Sequence, residues 1–302
     1  MHIASSLAAA GRVARRRYAG RDGLGEYARI LRSTAEAGYE LISLAEFAAR
    51  TAVVEVETAR LIALRHDVDI ADVPGNQVFY ELELAAGARS TFYFRWSTAR
   101  AHERLIGRLL ADGFEVGYHY EEGATIAKRR CLSNRAAVEA RRDEIADLMR
   151  WRVAEFRRRW NPDLGSAASH GDWINRRLRF TNAEMAAPEL LAECGLAFEA
   201  YGEAILGRAD TYVSDVATHP SVWRDDYSPN LAVADGHRRI CVLTHERRWH
   251  ANVAAGVDAD MRRIADEASY RLRHGLGRVL HGDRHPPAHG DGPGLDHHGV
   301  AS

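Results

Sequence analysis

From about residue 60 onward, short β-rich runs alternate with amphipathic stretches, and this alternation limits the fold more than any single motif does. Strands separated by helical patterns pair in parallel, because each crossover returns the chain to the same end of the sheet. The runs 60–65 (RLIALR), 90–95 (STFYFR), 114–120 (FEVGYHY), 165–169 and 239–243 (RICVL) read as strands, with shorter ones at 39–44, 197–200 and 211–214. Helical spacing falls over 25–37, 45–50, 76–86, 101–111, 135–160, 188–193 and 257–273. In the longest of these, Val138, Ile145, Leu148, Met149, Val153, Phe156 and Trp160 make one apolar stripe, and charged residues cover the rest. Seven or eight strands in about 240 residues is the size of a β/α barrel. A flat doubly wound sheet is the rival. No GxGxxG or Walker sequence follows the first strand, which weakens the nucleotide-binding form of that rival.

Composition removes several classes. With 46% hydrophobic and 27% charged residues, the chain has material for a core, which excludes wholesale disorder, collagen and a disulfide mini-protein. A formal net charge of −1 gives no global pull toward nucleic acid. No run of about 18 apolar residues exists, so no transmembrane segment is expected. The three cysteines, Cys131, Cys194 and Cys241, form no CxxC pair, so neither a disulfide frame nor a thiolate zinc site is indicated. Near the N-terminus an apolar stretch (3–10) precedes the cluster Arg15-Arg16-Arg17, the reverse of a secretory signal, so a cytoplasmic location is expected. The expected organisation is a flexible basic segment over 1–22, one domain over 23–280, and a disordered His/Gly/Pro-rich tail over 281–302. Oligomeric state is not legible.

Functional groups of a β/α barrel collect at the C-terminal ends of its strands. Four such ends carry metal-type or acid–base side chains: His66-Asp67-Val68-Asp69, His119 with Glu121 and Glu122, His170 with Asp172, and His245 with Glu246. Residues two apart in an extended segment point the same way, so Asp67 and Asp69 can reach one site. Two adjacent carboxylates repel unless a cation lies between them or one holds a proton. A solvated acidic turn capping the next helix is the bland alternative. His119 lies in an apolar strand and reads as a metal ligand or as a buried, hydrogen-bonded histidine. His170 follows Ala167, Ala168 and Ser169, which leaves room for a ligand or simply makes a turn. His245 reads as a general acid. Trp249 is placed at the same mouth, Trp223 is a candidate platform for a sugar face, and Arg65, Glu122 and Arg224 are further candidates for substrate contact.

These segments, in this order, resemble the NodB-type polysaccharide deacetylases of carbohydrate esterase family 4. The resemblance runs from about residue 61 to 250 and rests on RHDVD (Arg65–Asp69), STFYFR (Ser90–Arg95), DGFEVGYHYEE (Asp112–Glu122), SHG (Ser169–Gly171) and LTH (Leu243–His245). It implies a distorted (β/α)7 barrel and a hydrolase that uses a divalent metal, usually zinc, to remove acetyl groups from an amino sugar or polysaccharide precursor. By position it makes Asp67 the catalytic base, Asp69 and His119 metal ligands, and His245 the general acid. Two departures stand out. The second motif's further histidine is Gly123 here, so a third ligand must come from elsewhere: His170, with Glu122 in reserve. The family's Arg-Pro-Pro-Tyr-Gly motif is absent, which leaves Arg65 or Arg224 as partner of the Asp67 carboxylate. Other readings are a hydrolase of a small non-sugar amide and a catalytically inactive, glycan-binding member of the fold. The sequence also leads one to expect that replacing Asp67 or His119 removes activity while leaving the fold intact.

Overall fold

A computed structural model describes residues 23–53, 59–215, 222–249 and 253–281; the expected basic N-terminal segment and nearly all of the C-terminal tail lie outside the described residues. Eight strands form one sheet: β1 (Glu40–Ile42), β2 (Leu61–Val68), β3 (Thr91–Arg95), β4 (Glu115–Tyr120), β5 (Ser166–Ser169), β6 (Phe198–Glu199), β7 (Thr211–Ser214) and β8 (Arg239–Thr244). Every pairing is parallel. Seven strands run in the order β6-β5-β4-β3-β2-β8-β7, and β1 pairs with the start of β2, in line with β3. Read as a circle, that order is consecutive, with a gap between β6 and β7. A doubly wound sheet would reverse its order midway. This is the distorted (β/α)7 barrel, and the flat alternative is excluded.

Side-chain alternation shows that the sheet is curled. Leu61 and Ala63 of β2, Tyr93 of β3, Ala168 of β5 and Cys241 of β8 share one buried cluster, with the half-buried Tyr212 of β7 packed against it, which strands of a flat sheet could not do. The alternate residues Ile62, Leu64, Phe92, Phe94, Val116, Tyr118 and Val242 pack outward with the helices. The two edges approach each other where Tyr201, just after β6, meets Tyr212 of β7, with ring centroids 6.4 Å apart. Inside the barrel β4 needs Gly117: a Cβ there would lie 2.1 Å from the Tyr93 ring. Gly117→Ala is therefore expected to destabilise by about 1–3 kcal/mol through overpacking, read as a lowered Tm without loss of metal-free folding.

The helices differ from expectation in their ends and number. The stripe predicted over 135–160 is two helices, Arg135–Glu139 and Arg142–Arg159, with a turn between them that leaves Val138 in a side cluster with Trp173 and Tyr270. Short helices at Glu122–Arg129, Trp173–Leu178, Asn182–Met185 and Pro229–Ala234 add to those the periodicity gives. The last helix runs over Val253–His281. No helix among the described residues is long and apolar enough to cross a membrane.

Candidate active site

The site is built at the C-terminal ends of β2, β4, β5 and β8. On β2 the pleat sends Arg65 and Asp67 into the barrel and His66 out of it. His66 belongs to the outer layer: its ring nitrogens meet Thr244 Oγ1 at 2.6 Å and Glu83 Oε1 at 2.7 Å. Asp67 is 1% exposed and receives the Arg65 guanidinium as a fork, Nε to Oδ1 at 2.7 Å and Nη2 to Oδ2 at 2.9 Å. Arg65 is wholly buried, its guanidinium 4.2 Å from the Tyr201 ring centroid and 5.2 Å from that of Tyr93. Burial pushes the Asp67 carboxyl up, but the Arg65 guanidinium, the largest of the opposing influences, outweighs it and holds the group below the ordinary carboxylate value. Of the two arginines expected as its partner, Arg65 takes the role. Arg224 lies exposed on a short turn, Arg224–Asp226. Arg65 is thereby removed from substrate contact.

Asp69 Oδ1 is the focus of three elements. His119 Nε2 is 3.5 Å from it and His170 Nε2 is 3.4 Å. All three side chains are buried, and their ligand atoms lie within 4.8 Å of one another. These separations exceed a normal N–H···O bond. They match the edge of about 3.3 Å that a tetrahedron with zinc–nitrogen and zinc–oxygen legs of about 2.0–2.1 Å would have. Asp69 Oδ1 is buried with no hydrogen-bond partner. His119 Nδ1 lies 2.9 Å from the Ala168 carbonyl, so Nδ1–H donates there and the Nε2 lone pair turns to the site. The donor set therefore fits a divalent metal. The electrostatics agree. Burial and Arg95 pull the His170 imidazole down, but Asp69 and Glu121 outweigh them and raise its affinity for a proton; the same carboxylates draw a divalent cation to the site, which has to displace that proton to be ligated.

Gly123 cannot be regained as a ligand position. It sits in the helix Glu122–Arg129, where a Cβ would meet Asn182 Oδ1 and the Phe180 ring at 3.0 Å and Met185 at 3.2 Å. The imidazole comes from β5 instead, because β4–β5 pairing sets His119 beside Ala168, and His170 N donates to Tyr120 O at 2.9 Å. Glu122, the reserve ligand, points away. Its carboxylate takes the Tyr118 hydroxyl at 2.5 Å and faces Arg152 at 3.4 Å, so it neither joins the centre nor meets a substrate. Glu121 does turn in, to within 3.3 Å of His170 Nδ1, held by Arg95 at 2.7 Å.

His245 completes the set. Its Nε2 is 3.9 Å from Asp67 Oδ2. Its Nδ1 is 2.7 Å from Asp215 Oδ1, and its backbone N donates to Asp215 Oδ2 at 2.6 Å. Asp215, at the end of β7, also accepts from Arg248 Nη1 at 2.7 Å and Trp249 Nε1 at 3.1 Å. Burial raises this carboxyl, and His245 and Arg248 overcome that to keep it ionised. Sequence reasoning missed Asp215; the available signal was a carboxylate directly after a strand. Trp249 and Trp223 are corrections. They are 0% and 3% exposed, pack against each other at 5.2 Å, and make the wall behind Asp215 instead of a sugar platform or an open mouth. Asp215 and Trp223 form an isolated antiparallel bridge that fixes that wall.

No protein-family model matches the chain, and no curated protein matches it. Among solved structures, a mutant of a CE4 family pseudoenzyme with restored enzymatic activity matches at 10% identity and a TM-score of 0.38, over 69% of this chain and 64% of that one. A second structure of a mutant of that pseudoenzyme matches at 12% identity and a TM-score of 0.38, over 69% of this chain and 63% of the other. The match thus spans less than two thirds of either pseudoenzyme chain.

Proposed function

We propose that this protein is a metal-dependent hydrolase that removes an acetyl group from the nitrogen of an amino sugar or a polysaccharide precursor. The supporting observation is the pairing of two buried constellations: Asp69, His119 and His170 around one unbonded carboxylate oxygen, and Asp67 facing the His245–Asp215 dyad. Asp69, His119 and His170 would hold the metal, with zinc the first candidate from the imidazole-rich donor set. A divalent cation in that position supplies polarisation of the acyl carbonyl and acidification of water.

The rest falls to side chains. Asp67, kept ionised by Arg65, accepts the proton of the attacking water. His245, across from it, donates a proton to the amine nitrogen as the C–N bond breaks, so the products are acetate and the free amine. Asp215 holds the His245 ring with Nδ1–H engaged and Nε2 toward the reacting atoms. Arg65 and Asp215 touch no reacting atom and are positioning residues.

Elemental analysis of tagless protein tests the metal half. Wild type is expected to carry about one zinc-class ion per chain, and His170→Ala to lose it, with a drop in affinity larger than the roughly 10–100-fold typical of outer-shell changes. Acetate release from N-acetylated sugars tests the chemistry. Protein that takes up no divalent metal and releases no acetate overturns the hydrolase reading in favour of an inactive glycan-binding member.

A further inference from the structure

A cavity of about 690 Å³ opens over Asp69 and His170. Its volume suits a ligand of one or two sugar rings. One wall is the last helix, Val253–His281, fastened by Trp173 Nε1 donating to Asp266 Oδ2 at 3.2 Å and by Tyr270 packing on Trp173 at 5.3 Å. Six cationic side chains line the cavity, Arg95, Lys128, Arg176, Arg247, Arg262 and Arg263, against five aspartates. Most of these charges are spoken for. Arg95 holds Glu121, Lys128 holds Asp172 and Asp266, Arg247 faces Asp69, and Arg262 holds Asp258. Arg176 and Arg263 have no carboxylate within ion-pair range among the described residues, and both are exposed at the cavity's edge. A divalent cation at Asp69 would make the cavity more positive still.

From this arrangement we infer that the substrate carries an anionic group of the phosphoryl class, received by Arg176 and Arg263 while the acyl group lies at Asp69 and His170. Two guanidiniums from separate helices, Trp173–Leu178 and Val253–His281, can each present a planar fork to phosphate oxygens. The packing of Trp173 against Tyr270 joins those helices, so the two arginines share one rim. A neutral glycan would leave this rim without a partner. The inference rests on the proposed hydrolase reading for the position of the acyl group. The anion site itself does not depend on turnover.

The test uses metal-loaded full-length protein and the double variant R176Q/R263Q. N-acetylglucosamine, its 1-phosphate and its uridine diphosphate ester serve as substrates, and the two phosphorylated forms separate a terminal phosphate from a bridging diphosphate. Wild type is expected to show a KM at least about tenfold lower for a phosphorylated form than for the neutral sugar, and the double variant to bring that ratio near one. Calorimetric binding of the same three sugars gives the second readout. Equal affinity of wild type for neutral and phosphorylated sugars overturns the inference, as does a double variant that keeps the preference. If nothing is hydrolysed while the phosphorylated sugars bind through Arg176 and Arg263, the hydrolase reading fails and the anion site stands.

Discussion

Asp67→Asn is expected to lower acetate release roughly 10²–10⁴-fold, the range of a positioned proton acceptor, and to lower stability at the same time. Arg65 is wholly buried, and Asp67 takes both arms of its guanidinium fork. Removing one partner of a buried ion pair leaves an uncompensated charge and costs about 3–5 kcal/mol. The sequence alone leads one to expect an intact fold in this variant; the buried fork leads to the opposite expectation for Asp67. Lost activity in the single variant would then be open to a trivial explanation. The double variant Arg65→Met with Asp67→Asn separates the two effects. Methionine fills the space between Tyr201 and Tyr93 and removes the orphaned charge. The double variant is expected to recover most of the Tm while staying inactive. A recovered Tm accompanied by recovered acetate release would show that Asp67 acts only through folding, and the base assignment would fall.

The parts of this site that were legible are those written in a local period. Asp67 and Asp69 declare a shared direction by being two apart on a strand, and His119, His170 and His245 each follow a recognisable β run. Residues that depend on a distant partner were not legible. Asp215 follows TYVS and looks like a turn residue until β7–β8 pairing brings it beside His245, 30 positions on. Arg65 and Arg224 stood level by sequence because only the barrel decides which one is enclosed with Asp67. Trp223 was read as an open platform because a tryptophan in a loop has no period from which burial could be inferred. Its bridge to Asp215 is a tertiary fact. The short helices were missed for a different reason. They are four to eight residues long, too short for an apolar stripe to repeat, and two of them are fixed by end chemistry: Asp172 with Asn175 and Thr181 with Glu184 make capping boxes. That signal lies in the residues at the helix ends and has no period.

The separation of roles between Asp67 and His245 leads to the last expected result. A general acid matters in proportion to how badly the leaving group needs a proton. An amide nitrogen cannot depart as an anion near neutral pH, whereas a 4-nitrophenolate can. His245→Gln is therefore expected to slow hydrolysis of an N-acetylated sugar roughly 10²–10⁴-fold, while 4-nitrophenyl acetate slows by no more than about tenfold on the same principle. Asp215→Asn is expected to repeat the pattern in weaker form, since its carboxylate reaches the reaction only through the His245 ring at 2.7 Å. Asp67→Asn, in the background stabilised by Arg65→Met, is expected to slow both substrates alike, because water must lose its proton whichever group leaves. Two variants, one sensitive to the leaving group and one indifferent to it, compared at equal metal content, distinguish acid from base without a structure of any complex. If His245→Gln slows the aryl ester as much as the amide, His245 holds water or metal instead of donating a proton, and Asp215 becomes a support for binding.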